Sequence, residues 1–210
     1  MLGLPRSTEV NRRVSKERLY ANASLTPQVR GMIRAQIESI LWRNKLAEST
    51  IAISEGEDVK EIQIFEVLIR QRELDRRVLP AIAKAIPYKI LFILVLGDEA
   101  NVSGRQAQAC IEASGTFYNT EWQALDELAL RFEGLNLDAV YENLARQISG
   151  GRLGADVDIG EAVDRDKRRQ KLERDIAALE KKILNEKQFN RQVELNAEVK
   201  RFKKELEGLW

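Results

Sequence analysis

Two apolar runs of strand character, Glu61 to Arg70 and Ile90 to Leu96, flank a segment in which Leu74, Val78, Ala81, Ile82, Ala85 and Ile86 recur at helical spacing. Strand, short helix and strand in that order predict a crossover unit: two neighbouring parallel strands with the helix on one face. In the first strand Ile62, Ile64 and Leu68 share one face while Phe65, Val67 and Ile69 share the other, so the strand is expected to be central. Glu66 falls on the face of Ile62, Ile64 and Leu68, where a carboxylate needs a partner, a proton or water. It is the candidate buried acid, and the plainer expectation for it is an ion pair with an Arg of the following helix or exposure near the strand end. Pro80 predicts a kink in the crossover helix or a restart there, and Pro87 ends it.

Elsewhere the patterning is shorter-ranged. Pro5 to Tyr20 reads as an arm with one helical turn from Ser15. Thr26 and Pro27 predict a helix start, with Val29, Ile33, Ile37, Ile40 and Leu41 on one helical face and Trp42 near the end. Thr50 to Ser54 reads as a short strand, followed by the loop SEGEDVK, and Gly97 to Gly104 as another loop. Gln106 to Ala113 and Thr116 to Trp122 flank Ser114 and Gly115 and predict an antiparallel hairpin. Leu125 to Phe132 fits strand and helix equally. Asn136 is expected to cap a helix whose face is Leu137, Val140, Tyr141, Leu144 and Ile148, with Asp138 favourable to the dipole and Gly150 ending it. The following GGRLG lacks the Lys-Ser/Thr pair of a phosphate loop and reads as linker.

From Gly160 onward dense alternating charge surrounds two apolar tracts. One is Leu172, Ile176, Leu179, Ile183 and the other Leu195, Val199, Phe202, Leu206; Phe189 beside the break between them completes the set of expected interaction residues. Each tract steps by four and three as a coiled-coil seam does, but the two are out of phase. Two antiparallel helices bending at about Gln188 to Asn190 account for the shift, and one long rod with a stutter is the alternative. The expected fold class is thus α/β (α+β): a small mixed sheet with packed helices over residues 1–150, a linker over 151–160, and a C-terminal coiled-coil hairpin over 161–210.

Composition narrows the chemistry. The 210 residues contain no histidine and one cysteine, Cys110. His-based triads, the usual zinc sites and an internal disulfide are therefore excluded. Cys110 is expected to be a small core residue. No apolar run reaches membrane-spanning length and no signal-peptide pattern stands at the N-terminus, so the chain reads as cytosolic. The net charge of +1 is unevenly spread. Residues 1–48 carry nine Lys/Arg against four Asp/Glu, residues 49–150 ten against sixteen, and residues 151–210 fifteen against thirteen. A basic start and an acidic middle can pack together, or the arm's Arg6, Arg12, Arg13, Lys16 and Arg18 can meet a polyanion.

Seven stretches carry a family resemblance: LPRSTEVNRRVSKERLY, ILWRNKL with STIAI after it, IQIFEV, KAIPYKILF, the triplet TEW, GLNLDAVYENLARQI and EKQFNRQVELNAEVK. On these the chain resembles, over almost its full length, the bacterial domain of unknown function 4391 family. Pro80 and the Ala-rich GRQAQACIEAS depart from the family's usual pattern. The resemblance implies no activity. It does imply company, since members look like companions of helicases and DNA methyltransferases in restriction-type gene neighbourhoods.

The expectation is a non-enzymatic accessory protein needing no cofactor or metal, with a helicase or DNA methyltransferase as protein partner and self-association through the C-terminal helices as a further prospect. One alternative is a DNA- or RNA-binding module using the basic arm and coil. The other is a divergent magnesium-dependent nuclease, for which Glu66, Val67 and Leu68 lack the required following Lys. Acidic side chains converging with a lysine around one cavity would speak for the enzyme.

Overall fold

The computed structural model describes residues 2–22, 24–97 and 104–209. Apart from its ends, the expected Gly97 to Gly104 loop lies outside the described residues. The chain divides into two compact units, Met1–Gly151 and Arg152–Trp210.

In the first unit a 3-10 turn, Arg6–Thr8, leads into β1 (Glu9–Arg13) and α1 (Lys16–Asn22). Then follow α2 (Pro27–Gln36), β2 (Ile37–Leu46), the single turn α3 (Glu48–Ile51), β3 (Ile62–Ile69), α4 (Val78–Lys84) and β4 (Lys89–Leu96). The hairpin β5 (Gln106–Ala113) and β6 (Thr116–Asn119), the short β7 (Gln123–Ala124) and α5 (Leu137–Ile148) complete the unit. Among the described residues these strands form one seven-stranded sheet in the order β1-β2-β3-β4-β5-β6, with β7 also pairing β5. Only β3 and β4 run parallel, joined by α4 as the crossover pattern predicts, and every other pair is antiparallel.

Pro80 is the third residue of α4, in the first turn, where its missing N–H would have had no intrahelical partner. The helix starts two residues before it. The β5–β6 turn places Ser114 at φ 43° and Gly115 at φ 77°, the doubly left-handed geometry that matches strand twist. Phe65, Val67 and Ile69 of β3 and Ile90, Phe92 and Leu94 of β4 form one core with Leu19 of α1, Ile33 of α2, and Val78 and Ile82 of α4. The alternate positions Ile62, Ile64, Leu91 and Ile93 are buried on the opposite face. On α5, Asn136 accepts the Ala139 N–H at 2.9 Å, and the buried Tyr141 donates to the Glu112 carbonyl at 2.8 Å.

Two expectations are corrected and a third is extended. The helix from Pro27 stops at Gln36, and Ile37–Leu46 is instead a ten-residue strand between β1 and β3. Its β-branched and aromatic residues suit a pleated surface. Register shifts between Ile37 and Ser39 and between Trp42 and Asn44 break the strict alternation, leaving apolar spacings that imitate a helix. Thr50 to Ser54 is not a strand. The Thr50 hydroxyl donates to the Lys45 carbonyl and accepts the Ala47 N–H, both at 2.9 Å, winding one turn that Ala52 ends at φ 52°. The arm carries the helical turn expected from Ser15, extended to the seven-residue α1 with the Ser15 hydroxyl accepting the Arg18 N–H, and its earlier part is edge strand β1, which the pattern does not announce. Leu125 to Phe132 forms neither helix nor strand and is anchored by buried Leu128.

The SEGEDVK loop is held by a carboxylate. Asp138 accepts the N–H groups of Glu57 at 2.6 Å and Val59 at 2.7 Å. A Cβ at Gly56 would run into that carboxyl group, so any larger residue there would have to displace the Asp138 side chain from these bonds.

The second unit is a helical hairpin, α6 (Ile159–Asn185) and α7 (Phe189–Glu207). Asp158 starts α6 by accepting the Glu161 N–H at 3.0 Å. Ile176 and Leu179 pack against Leu195 and Val199, with Ile183, Phe202 and Leu206 alongside. Leu172 is also buried. Phe189 is not on the seam: it begins α7 and is 75% exposed, because the frame shift falls in the connection over residues 186–188. No described helix is long and apolar enough to cross a membrane.

Candidate functional site

Glu66 faces the sheet as its strand period requires, and its side chain is 12% exposed. Its partner is Arg43 of β2, Nη1 to Oε2 at 2.8 Å, and not an arginine of the crossover helix. The register explains this, since Leu41 lies opposite Glu66 and Arg43 sits in the shift between Trp42 and Asn44. Arg13 of β1 pairs with Leu41, and Arg13, Ser39, Glu66 and Arg105 line one small cavity of about 130 Å³. The fold thus brings together two residues singled out for different reasons, Arg13 of the arm and Glu66. Arg43 was missed because β2 was read as helix.

The arm's cations do not form one patch. Arg12 is in register with Trp42 and Arg13 with Leu41, so successive side chains leave opposite faces of the sheet edge. Lys16 donates from Nζ to the Ile37 carbonyl at 2.7 Å, and burial, followed by the nearby Arg70 charge, lowers its pKa. That lysine ties α1 to β2. Arg6, in the 3-10 turn, and Arg18, in α1, are exposed.

A larger cavity of about 330 Å³ opens at the start of β3 and β4, where Asp58, Glu61 and Glu112 meet Lys60, Lys89 and Tyr141. Acids and lysines do gather here, but most of them engage each other or the backbone. Glu61 accepts from Gln63 at 2.8 Å and pairs with Lys45 at 2.9 Å. Lys60 donates to the Gly56 carbonyl at 2.7 Å. Lys89 stands 3.9 Å from Glu112 and lies over the Tyr141 ring. Among the described residues no three His, Cys, Asp or Glu side chains are placed to hold a metal ion.

Cys110 is buried in the helix-covered core, and burial pushes its thiol up to about 12. The native protein should therefore resist 5,5′-dithiobis(2-nitrobenzoate) at pH 8 and release one equivalent of thiolate only after unfolding in urea. Rapid reaction of the folded chain would contradict this packing.

No curated protein and no solved structure matches the chain. The sequence pattern described as Domain of unknown function (DUF4391) matches residues 2–206 of the 210. With the sheet, its crossover and all of the helical hairpin but Glu207 inside that span, the chain belongs to the DUF4391 family.

Proposed function

We propose that this protein is a non-enzymatic accessory subunit that attaches itself to a bacterial DNA-processing protein, a helicase or DNA methyltransferase of restriction or defence type, with the helical hairpin as its grip. The observation that carries the reading is the hairpin itself. Two long helices close one narrow seam inside a single chain, and beyond that seam and the buried residues Ala162, Val163 and Asp166 at the start of α6 much of their surface is left to solvent or to another molecule. A homodimer through the same residues would have to open that seam. The body supports the reading in a second way, because Arg43 and Lys45 of β2 are paired with Glu66 of β3 and with Glu61 just before it.

The test is capture of the tagged full chain from native host cells and identification of what comes with it. A helicase or DNA methyltransferase retained in stoichiometric amount is the expected result, and a chain that returns alone or with nucleic acid only would overturn the reading. The cavity at Glu61 and Lys89 is the observation that favours the enzymatic alternative. Magnesium-dependent DNA cleavage by the pure protein, abolished by Glu61→Gln, would establish that alternative.

A further inference from the structure

The joined end of the hairpin exposes three large apolar side chains: Leu184 at 84%, Phe189 at 75% and Val193 at 51%. They share one flank. Glu180 follows seam residue Leu179, Lys203 follows seam residue Phe202, and these two meet across the helices at 2.8 Å. In antiparallel helices the position just after the seam therefore faces the same side on both. Leu184 follows seam residue Ile183 in the same way. Val193 stands one place after Gln192, itself three before seam residue Leu195, and Phe189 lies one turn before Val193. The result is a convex apolar knob.

Lys181 lies one turn before Leu184 and Lys187 two residues before Phe189, both exposed and with no carboxylate partner among the described residues, whereas Lys182, just before seam residue Ile183, falls on the opposite flank. Two acids beside them are held in place. Glu186 accepts the N–H groups of Lys187 at 2.8 Å and Gln188 at 2.9 Å, and Glu194 is bound to Arg191 at 2.6 Å.

We infer that this knob seats in an apolar groove with an acidic rim on the partner protein; the inference rests on the accessory reading and names the contact. Of the three only Phe189 offers a ring, and Leu184 and Val193 beside it give no platform for successive bases, which disfavours a nucleic-acid strand. Glu186 and Glu194 would be carried against the phosphates of DNA or of an anionic bilayer. A second copy under two-fold symmetry would set lysines against lysines. A protein groove can meet the apolar side chains, Lys181, Lys187 and the two fixed acids each with its complement.

The experiment places p-benzoylphenylalanine at position 189 of the full chain in native host cells, with position 201, exposed farther along α7, as the control. Irradiation should join position 189 to one protein at least tenfold more than position 201. Changing Lys181 and Lys187 to Glu should remove that product, and the attached peptide should come from a site rimmed by Asp and Glu. No product at 189, equal products at both positions, or a product with nucleic acid, lipid or the chain itself would overturn the inference. If the tagged wild-type chain retains a DNA-processing partner to which position 189 does not join, only the knob fails. If position 189 joins a protein of another class, the knob stands and the DNA-processing reading falls.

Discussion

Replacing Phe65 by Ala should lower the stability of the first unit by about 3–5 kcal/mol, the cost typical of emptying a well-packed aromatic site. Phe65 is 2% exposed in β3, the middle of the sheet. Its ring centre lies 6.2 Å from that of Trp42 on one neighbouring strand and 6.5 Å from that of Phe92 on the other, and Phe92 is 6.4 Å from Phe117. Removing one ring opens a gap in a row that runs from β2 to β6 while taking contacts from two strands at once. For a unit of this size the expected drop in melting temperature is about 6–20 °C. Phe65→Leu, which refills most of the space, should cost distinctly less. Urea unfolding followed by tryptophan fluorescence measures both, and a loss below about 1 kcal/mol for Phe65→Ala would mean the row is not a packed core.

The second large effect belongs to the hairpin. Leu195→Asp should unzip α6 from α7. Leu195 is 8% exposed among Ile176, Leu179 and Val199, so the change removes about 2–5 kcal/mol of packing and sets a carboxylate in the seam. Little else holds the helices together. The cross-helix pairs Lys203–Glu180 and Arg168–Glu205 are solvent-exposed and worth at most about 1 kcal/mol each. Separated amphipathic helices of this kind are marginal in water. The two helices hold more than half of the described helical residues, so far-ultraviolet circular dichroism should show a large loss at 222 nm. Phe189→Ser, at an exposed position, should leave the spectrum unchanged. If Leu195→Asp kept full helicity, the seam would not be what pairs the helices.

What the chain's pattern reveals follows the range of the forces involved. The crossover from β3 through α4 to β4 was legible because both strands are buried on two faces and therefore nearly continuous in apolar residues. The Ser114–Gly115 turn and the Asn136 cap were legible because each is local chemistry. Strand β2 was not, since its two register shifts displace the alternation and make Ile37, Ile40 and Leu41 resemble a helical face. That misreading also hid Arg43, so the acid at Glu66 was recognised and its partner was not. The arm's basic residues looked like one surface because sequence proximity conceals that Arg12 and Arg13 leave opposite faces of a strand. The break in the hairpin's seam was visible, but the exposure of Phe189 depends on where the turn falls, and a two-residue difference there moves it off the seam.

The grip is tested most directly by comparing partner retention between the wild-type chain and Leu195→Asp, both tagged and recovered from native host cells. Continued protection of Cys110 from thiol reagent shows in each sample that the sheet is intact. The account predicts a DNA-processing protein bound to the wild type and lost from the unzipped chain; undiminished retention by Leu195→Asp would contradict it.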